Sequence, residues 1–485
     1  MGTRRGRREA RSAGGSVRPL EGELSSGSPL VVQGGHVELL DDTFTVLTNG
    51  AVAIEGGTIA QVGDAAEIRA RYPGAEVLDA TGKLVMPGLV NAHTHLYSAL
   101  ARGLVADIAP SSNFTEILEH LWWRLDRALT LDDVRLSAAA GALDLVRNGT
   151  TSIIDHHASQ VHVDGSLSAV AEPLLDAGLR FNLCFEVTDR DGPDARDAGL
   201  AENERFGRDV AGGAAGGASA GATGDATGDG RLVGASVGLH ASFTLDDGTL
   251  ERAAGMASDL GVGCHIHVAE ATADVDDSLR RCGKRVVDRL DSFGVLGQKT
   301  VAAHCIHVDD DEVATLIDTG TMVAHNPQSN MNNAVGCADV PGMLGRGVLM
   351  GLGTDGFTAS MFDEMKVANL VHRHEAADPR VGHDVASRLC LSNNQTIASR
   401  LFGVPVGCIE EGAAADLIVL DYDPPTPLET GNFGGHLIFG LTGWMVETVV
   451  IGGRVVMRDR QFTTVDAERT AALARERATE LWARM

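Results

Sequence analysis

The sequence predicts an α/β protein: a (β/α)8 barrel of the TIM type with a small β-sandwich domain built from both chain flanks. Two observations carry this prediction. Between residues 87 and 404, apolar strand-like runs alternate with helical segments, as in parallel strands connected by helices. Both flanks instead show short β-branched runs separated by Gly and Asp turns. A length of 485 residues accommodates one barrel and a smaller domain.

The domain boundaries follow these changes in pattern. We expect residues 1–29, rich in Arg, Gly and Ser, to form a disordered tail. Residues 30–86 and 405–464 are expected to pair into the composite β-sandwich, with Gly452-Gly453 as a hairpin turn. Residues 465–485 are rich in Ala, Arg and Glu and predict a C-terminal helix.

The barrel segment, residues 87–404, contains recognisable strand and helix pairs. A helix over 131–147 should precede a strand over 151–154, and a strand over 300–304 should precede a helix over 309–318. Residues 210–230 are nearly all Gly, Ala, Asp, Ser and Thr, so we expect a mobile surface loop inserted between barrel units.

Composition excludes several classes of partner. A net charge of −26 argues against nucleic acid or an anionic membrane, because both attract basic surfaces. No apolar run approaches the roughly 20 residues that span a bilayer. Seven cysteines without a CxxC spacing indicate reduced thiols and a cytoplasmic location. A small molecule is therefore the expected partner.

Histidine pairs spaced as HxH are the strongest chemical signal. In a strand, residues i and i+2 share a face, so two imidazoles can bind one metal ion. Seventeen histidines would produce roughly one such pair by chance, and the chain has three: 93/95, 265/267 and 372/374. The third pair lies on a helical stretch, and we assign it no role.

The first two pairs belong to a larger set that follows apolar runs. Barrel proteins place their active sites at the C-terminal ends of the barrel strands. Histidines that were merely solvated would instead be scattered over helices and loops. The residues at these strand ends are His93, His95, Asp155, His156, His157, His240, His265, His267, Glu270, His304 and Asp355.

Two sequence motifs resemble the amidohydrolase superfamily, over about residues 30–460. They are Pro87-Gly88-Leu89-Val90-Asn91-Ala92-His93-Thr94-His95 and the trailing Gly412-Ala413-Ala414-Ala415-Asp416-Leu417-Ile418-Val419-Leu420. The likeness is to the single-metal branch, which contains adenosine, guanine and cytosine deaminases and triazine chlorohydrolases. The segments 113–115, 121–129, 155–159 and 329–333 are more closely similar to aminohydrolases of the SsnA group, whose substrate is open.

The resemblance implies a role for each strand-end residue. His93, His95, His267 and Asp355 would bind one divalent metal ion, for which this N/O set suits Zn²⁺, with Fe²⁺ or Mn²⁺ also acceptable. Hydroxide formed from metal-bound water would attack the substrate. Glu270 would shuttle the proton, His304 would polarise the attacked centre or orient the water, and Asp355 would also accept the proton of the water.

A metal pair bridged by a carbamylated lysine, as in other branches of the superfamily, does not fit the sequence. Such a lysine ends the fourth barrel strand. The four lysines are Lys83, Lys284, Lys299 and Lys366, and none ends a predicted strand. A single-metal site is therefore expected.

The sequence says less about substrate recognition. His240 resembles the substrate-binding histidine of purine deaminases, with a supporting role behind the site as the alternative. Tyr97, Trp122, His157 and Asn330 are further candidates from their strand-end or loop positions, as is Arg102. Trp122, Trp123 and Phe114 could stack on a planar heterocycle or anchor a lid.

These observations predict a metal-dependent aminohydrolase that acts on a non-peptide carbon–nitrogen bond. The expected substrate is a heterocyclic amine of the purine, pterin or pyrimidine type. The alternative is a hydrolase of another leaving group, such as chloride, a thiolate or an amide, on the same site. A non-catalytic binding protein is disfavoured because Glu270 and Asp355 are retained. A homo-oligomer is compatible with this resemblance.

Overall fold

The computed structural model describes residues 28–41, 44–213, 233–382 and 384–485. The predicted tail over residues 1–29 and the predicted loop over 210–230 lie almost entirely outside the described residues.

Two parallel sheets form the centre of the molecule, as the repeated strand and helix pattern predicts. Their strand orders are β6-β7-β8-β9 and β10-β11-β12-β13-β14. Isolated parallel bridges, Val187 with Leu239 and Thr94 with Asp355, connect the two sheets on both sides. The strands are β6 Leu89–Thr94, β7 Thr150–His157, β8 Arg180–Phe185, β9 Val233–Ala235, β10 Val237–Ala241, β11 Cys264–Val268, β12 Val301–His304, β13 Met322–His325 and β14 Met350–Leu352.

Helices follow the central strands and cover them. The helix at 131–147 begins with a capping box between Thr130 and Asp133, and the next strand is buried along its whole length, as expected for a parallel strand covered on both faces. No helix among the described residues is both long and apolar enough to cross a bilayer. The helices are α1 Ala65–Arg71, α2 Phe114–Ile117, α3 Trp123–Ala128, α4 Leu131–Arg147, α5 Ser166–Ala177, α6 Pro193–Ala211, α7 Asp247–Leu260, α8 Thr272–Cys282, α9 Val286–Ser292, α10 Asp310–Thr319, α11 Pro327–Asn332, α12 Val340–Arg346, α13 Met361–Ala376, α14 Val385–Ser387, α15 Asn394–Phe402, α16 Phe433–Phe439 and α17 Ala467–Trp482.

The two flanks of the chain are hydrogen-bonded to each other in one mixed sheet, where we expected a sandwich. Its order is β18-β17-β16-β15-β5-β1-β2-β3, with β4 beside β1. The flanks meet where β5 pairs antiparallel with β15. Ile54 and Val455, from strands far apart in this order, belong to one buried cluster. The strands are β1 Leu30–Glu38, β2 Val46–Glu55, β3 Thr58–Asp64, β4 Glu76–Asp79, β5 Leu84–Pro87, β15 Leu417–Leu420, β16 Val446–Ile451, β17 Arg454–Arg458 and β18 Gln461–Phe462.

The junction between the flanking sheet and the first central strand is held at Gly88. Its amide donates to the Asp416 carbonyl at 2.9 Å, and a Cβ at this position would lie 2.2 Å from the Thr151 side chain. The carboxylate of Asp416 pairs with the buried guanidinium of Arg180 at 3.0 Å. These contacts fix the start of β6, the strand that carries the first predicted ligands.

Candidate active site

Four of the predicted ligands converge at the C-terminal ends of β6, β11 and β14. The Nε2 atom of His95 lies 3.2 Å from Nε2 of His267 and 3.1 Å from Oδ1 of Asp355. The Nε2 atom of His93 lies 3.9 Å from the same carboxylate oxygen. Ligands about 2.0–2.1 Å from one ion stand roughly 3 to 3.5 Å apart, so these spacings are close to those of a metal site.

The other ring nitrogen of each histidine is held by a neighbouring strand. Nδ1 of His95 donates to the carbonyl of His156 at 2.6 Å, and Nδ1 of His267 donates to the carbonyl of His240 at 2.8 Å. Nδ1 of His93 lies 2.8 Å from Nε2 of His265. With Nδ1 engaged, the lone pair of Nε2 points into the cluster, which is how proteins orient metal-binding histidines.

Asp355 is held in place by its backbone and by two donors. Its φ of 54° is in the left-handed region, which turns the chain sharply after β14. The Ser329 hydroxyl donates to Oδ2 and the Gly356 amide to Oδ1, both at 2.6 Å. Burial opposes ionisation, but the hydrogen bond with His95 and the nearby histidines hold the pKa of Asp355 well below its usual range. The carboxylate is therefore ionised.

The chemistry of this donor set fits a divalent cation. Burial lowers the pKa of His267 to about 3 and that of His93 well below its usual value, so both imidazoles are neutral and can ligate. Burial also lowers the pKa of His95, yet the hydrogen bond and charge of Asp355, the His156 carbonyl and the charge of Glu186 together outweigh it and raise that pKa to about 9, so the cluster favours a positive charge there. The buried Nε2 of His93 has no hydrogen-bond partner among the described residues, although a metal ion would satisfy it.

Glu270 and His304 lie beside the ligands, as the sequence predicts. Oε2 of Glu270 is 3.5 Å from Nε2 of His304, and Oε1 lies 3.4 Å from the amide nitrogen of Asn333. Burial raises the pKa of Glu270 to about 7. Nδ1 of His304 donates to Oδ1 of Asn330 at 2.7 Å, which leaves its Nε2 facing Glu270 and, at 3.7 Å, Asp355.

A cavity opens directly above this cluster and is lined mainly by aromatic and acidic side chains. Its floor is formed by His95, His267, Glu270 and Asp355. The residues around Trp122, which we expected to form a lid, contribute one wall from α2, the π-helix Leu118–Trp122 and α3. The aromatic residues of the lining are Tyr97, Phe114, Trp122, Trp123, Phe243 and Phe357.

Three of the five predicted substrate-binding residues, Tyr97, Trp122 and His240, line this cavity. His157 does not: its ring is fully buried and its Nε2 is 3.0 Å from the Ser159 hydroxyl. Successive strand residues point to opposite faces, so the neighbouring His156 faces the ligands instead. The prediction for Asn330 also needs correction, because its side chain holds His304 behind the cavity and is not part of the lining.

Several residues at the site lack an assigned role in the sequence prediction. His265 orients His93, and Ser329 and Asn333 hold the two carboxylates of the site. The HxH spacing placed His265 at the strand end but gave no partner for it. Glu186, at the end of the third central strand, also lines the cavity, and only its position after the apolar run of β8 could have indicated this.

Family models match most of the chain. The model of the amidohydrolase family matches residues 84–456. A second model, of the bacterial imidazolonepropionase-like composite domain, matches residues 50–75 in the N-terminal flank.

Named relatives share nearly a third of their residues with this chain. A 5'-deoxyadenosine deaminase of Methanosarcina mazei is 31% identical, with 94% of this chain and 99% of the relative covered. A 5-methylthioadenosine/S-adenosylhomocysteine deaminase of Desulforudis audaxviator is 31% identical, with 89% and 95% covered.

Solved structures share the fold. A zinc-bound adenosine deaminase from Xanthomonas campestris superposes with a TM-score of 0.81 at 23% identity, covering 94% of this chain and 98% of the other. Atrazine chlorohydrolase from Arthrobacter aurescens gives a TM-score of 0.76 at 22% identity, covering 93% and 100%. Likeness to the SsnA group in particular stays a prediction. With a family model matched from β5 to β17, across all the central strands, the chain belongs to the amidohydrolase family.

Proposed function

We propose that this protein is a metal-dependent aminohydrolase that deaminates a purine-type heterocyclic amine carried on a nucleoside. The observation that carries the proposal is the position of Glu270. This carboxyl group has a raised pKa and lies at the floor of an aromatic cavity, beside a converged set of three histidines and Asp355. The relatives named as deaminases of 5'-deoxyadenosine and of 5-methylthioadenosine support the substrate class.

The residues that would hold the ion are His93, His95, His267 and Asp355. A divalent ion bound there, for which we propose Zn²⁺, would supply Lewis-acid activation of water. The zinc-bound neighbours share the fold and are compatible with this choice.

The remaining steps follow from the geometry of the chain. A water oxygen adds to the amidine carbon of the ring, the C–N bond to the exocyclic nitrogen breaks, and ammonia leaves as a carbonyl forms. Glu270, with a pKa of about 7, can take a proton from the water and give it to nitrogen near neutral pH. Because Nδ1 of His304 donates to Asn330, its Nε2, 3.5 Å from Glu270, is an acceptor that can orient the water.

The aromatic lining supports binding of a planar ring. Trp122 lines the cavity from the lid, and Phe243 lines it from the turn that follows β10. The faces of both rings can stack on a purine base. His240, whose Nδ1 is 2.6 Å from the Thr244 hydroxyl, is fixed in orientation and lines the same cavity. We propose that it hydrogen-bonds to the heterocycle.

We also propose the finer architecture and setting. The two bridged parallel sheets would close as a (β/α)8 barrel over residues 87–404, with β9 and β10, which only Ser236 separates, counted as one barrel strand. The flanking sheet would curl over its shared cluster as the composite sandwich. The described cysteines are unpaired, which suits a cytoplasmic protein. A homo-oligomer and, separately, a likeness to the SsnA group are also part of this proposal.

The experiment is a metal-reconstituted substrate panel. Zinc-loaded protein is incubated with adenosine, 5'-deoxyadenosine, 5-methylthioadenosine, guanine and cytosine, and ammonia release is measured. We expect ammonia from the adenine nucleosides and its loss after chelation of the metal. Fully loaded protein that releases no ammonia from any of these amines, but releases chloride from a chlorotriazine, would overturn the proposal in favour of the alternative leaving group.

A further inference from the structure

We propose that Glu186 is a specificity-determining residue and that the cavity selects substrates without an anionic group. In this view Glu186 accepts a hydrogen bond from a donor on the substrate and repels phosphate or carboxylate substituents. The inference rests on the proposed function, because it narrows the substrate class of the same site.

The position of Glu186 makes it a group for ligand binding. It follows β8, is 4% exposed, and lines the cavity. One of its oxygens lies within 4.8 Å of a ring nitrogen of His240 and of a ring nitrogen of His267. Its nearest cationic or imidazole contacts are 3.5 Å to Nδ1 of His156 and 4.0 Å to Arg190. Neither is a hydrogen bond, so the carboxyl group keeps its acceptor capacity for a ligand.

The nearby guanidinium does not neutralise this wall. Arg190 forms its short contact with Asp126, lies 3.5 Å from Asp191, and stacks 5.0 Å from the ring of Trp123. Asp191 is also paired with Arg127 at 2.6 Å, so Asp126 and Glu186 are the two lining carboxyl groups that depend on Arg190. Arg190 is also absent from the cavity lining, whereas Asp126 and Glu186 both belong to it.

Cationic side chains are missing from the rest of the lining as well. Among the described residues that line the cavity there is no lysine and no arginine. Arg102, one of the substrate-binding candidates from the sequence, is 69% exposed and pairs with Asp144 at 2.8 Å.

These features predict the sign of discrimination. A phosphate or carboxylate brought against this wall would lose water and meet the carboxyl groups of Asp126 and Glu186, with no lysine or arginine in the lining to pair with it, which is unfavourable. A hydroxyl, amine or ammonium group would find the open acceptor of Glu186 and aromatic faces. We expect neutral and cationic adenine nucleosides to bind and anionic ones to be rejected.

The first test compares substrates that differ at the 5' carbon. They are 5'-deoxyadenosine, 5'-amino-5'-deoxyadenosine and adenosine 5'-monophosphate, with 5-methylthioadenosine as a neutral control of greater length. We expect kcat/KM for the monophosphate to be lower than for 5'-deoxyadenosine by on the order of 100-fold or more. Equal kcat/KM for the neutral and anionic members would overturn the inference.

The second test separates charge from size. Glu186→Gln keeps the shape of the side chain and removes its charge, so the preference for neutral over anionic substrates should fall by roughly tenfold, mainly through KM. Glu251→Gln, the same change on the exposed surface of α7, is the matched control and should keep the wild-type preference. An unchanged preference in Glu186→Gln would show exclusion by size and would contradict the role of Glu186.

A binding measurement keeps this inference independent of catalysis. Purine riboside and its 5'-monophosphate carry no amino group to release, so calorimetry reports their affinities without turnover. Selective binding of the uncharged riboside without deamination of any adenine nucleoside would support the inference and refute the proposed function. Deamination of adenine nucleosides together with equal affinity for both probes would support the proposed function and refute the inference about Glu186.

Discussion

Removing the side chain that positions His304 should lower turnover without removing the metal. Asn330 is 1% exposed and its Oδ1 accepts the 2.7 Å hydrogen bond from Nδ1 of His304. Asn330→Ala removes this acceptor, leaves only Nδ2 of Asn326 at 3.5 Å from the same nitrogen, and so loosens the orientation of the ring. A hydrogen bond of this kind contributes about 1 to 2 kcal/mol, which corresponds to roughly a 5- to 30-fold loss in kcat. Because Asn330 is outside the cavity lining, KM should change little.

The assay combines ammonia release with metal analysis and a pH profile. Asn330→Asp restores an acceptor, so part of the lost kcat should return. Met331→Ala, on the 56% exposed neighbour in the same helix, controls for disturbance of α11. Wild-type kcat in Asn330→Ala, or a loss equal to that in Met331→Ala, would refute the positioning role.

Two further predictions concern metal affinity and stability. His265→Ala should weaken zinc binding by roughly 10- to 100-fold, because it removes the 2.8 Å contact to Nδ1 of His93. Competition with a chromogenic chelator measures the zinc affinity, and an unchanged affinity would contradict the orienting role of His265. Glu38 is fully buried, and burial raises its pKa to about 8 from 4.5, so the folded state holds this proton more tightly than the unfolded chain. The free energy of unfolding should therefore fall as pH rises from about 4.5 to about 8. Glu38→Gln should remove roughly 2 kcal/mol of the decrease between pH 6 and 9, measured by denaturant unfolding. A variant that keeps the full decrease would show that Glu38 does not cause the loss of stability.

Much of the site was predictable because strand ends in a parallel sheet meet at one edge. His93, His95, His267 and Asp355 each follow an apolar run, so their convergence follows from the strand pattern and the family motifs. The helix over 131–147 has the predicted bounds for a different, local reason: a capping signal precedes it and a glycine follows it.

The errors arose where the sequence pattern gives no direction. His156 and His157 are adjacent in β7, so the alternation of side chains allows either of them to face the predicted ligands. Only the register of β7 against its neighbours decides which one does. Glu186 carries no motif, so its place in the cavity depends on tertiary structure. Asn330 was identified by its loop, but its target, His304, lies 26 residues away and is brought near only by folding.

The account depends most on Glu270, and its replacement by glutamine is the most direct measurement. Glu270→Gln keeps the size of the side chain but cannot carry the proton, and it leaves His93, His95, His267 and Asp355 unchanged. We predict one bound zinc ion per chain and a fall in kcat for an adenine nucleoside of on the order of 10² to 10⁴-fold. A zinc-loaded Glu270→Gln protein whose kcat stays within a few-fold of the wild-type value would contradict the proposed chemistry.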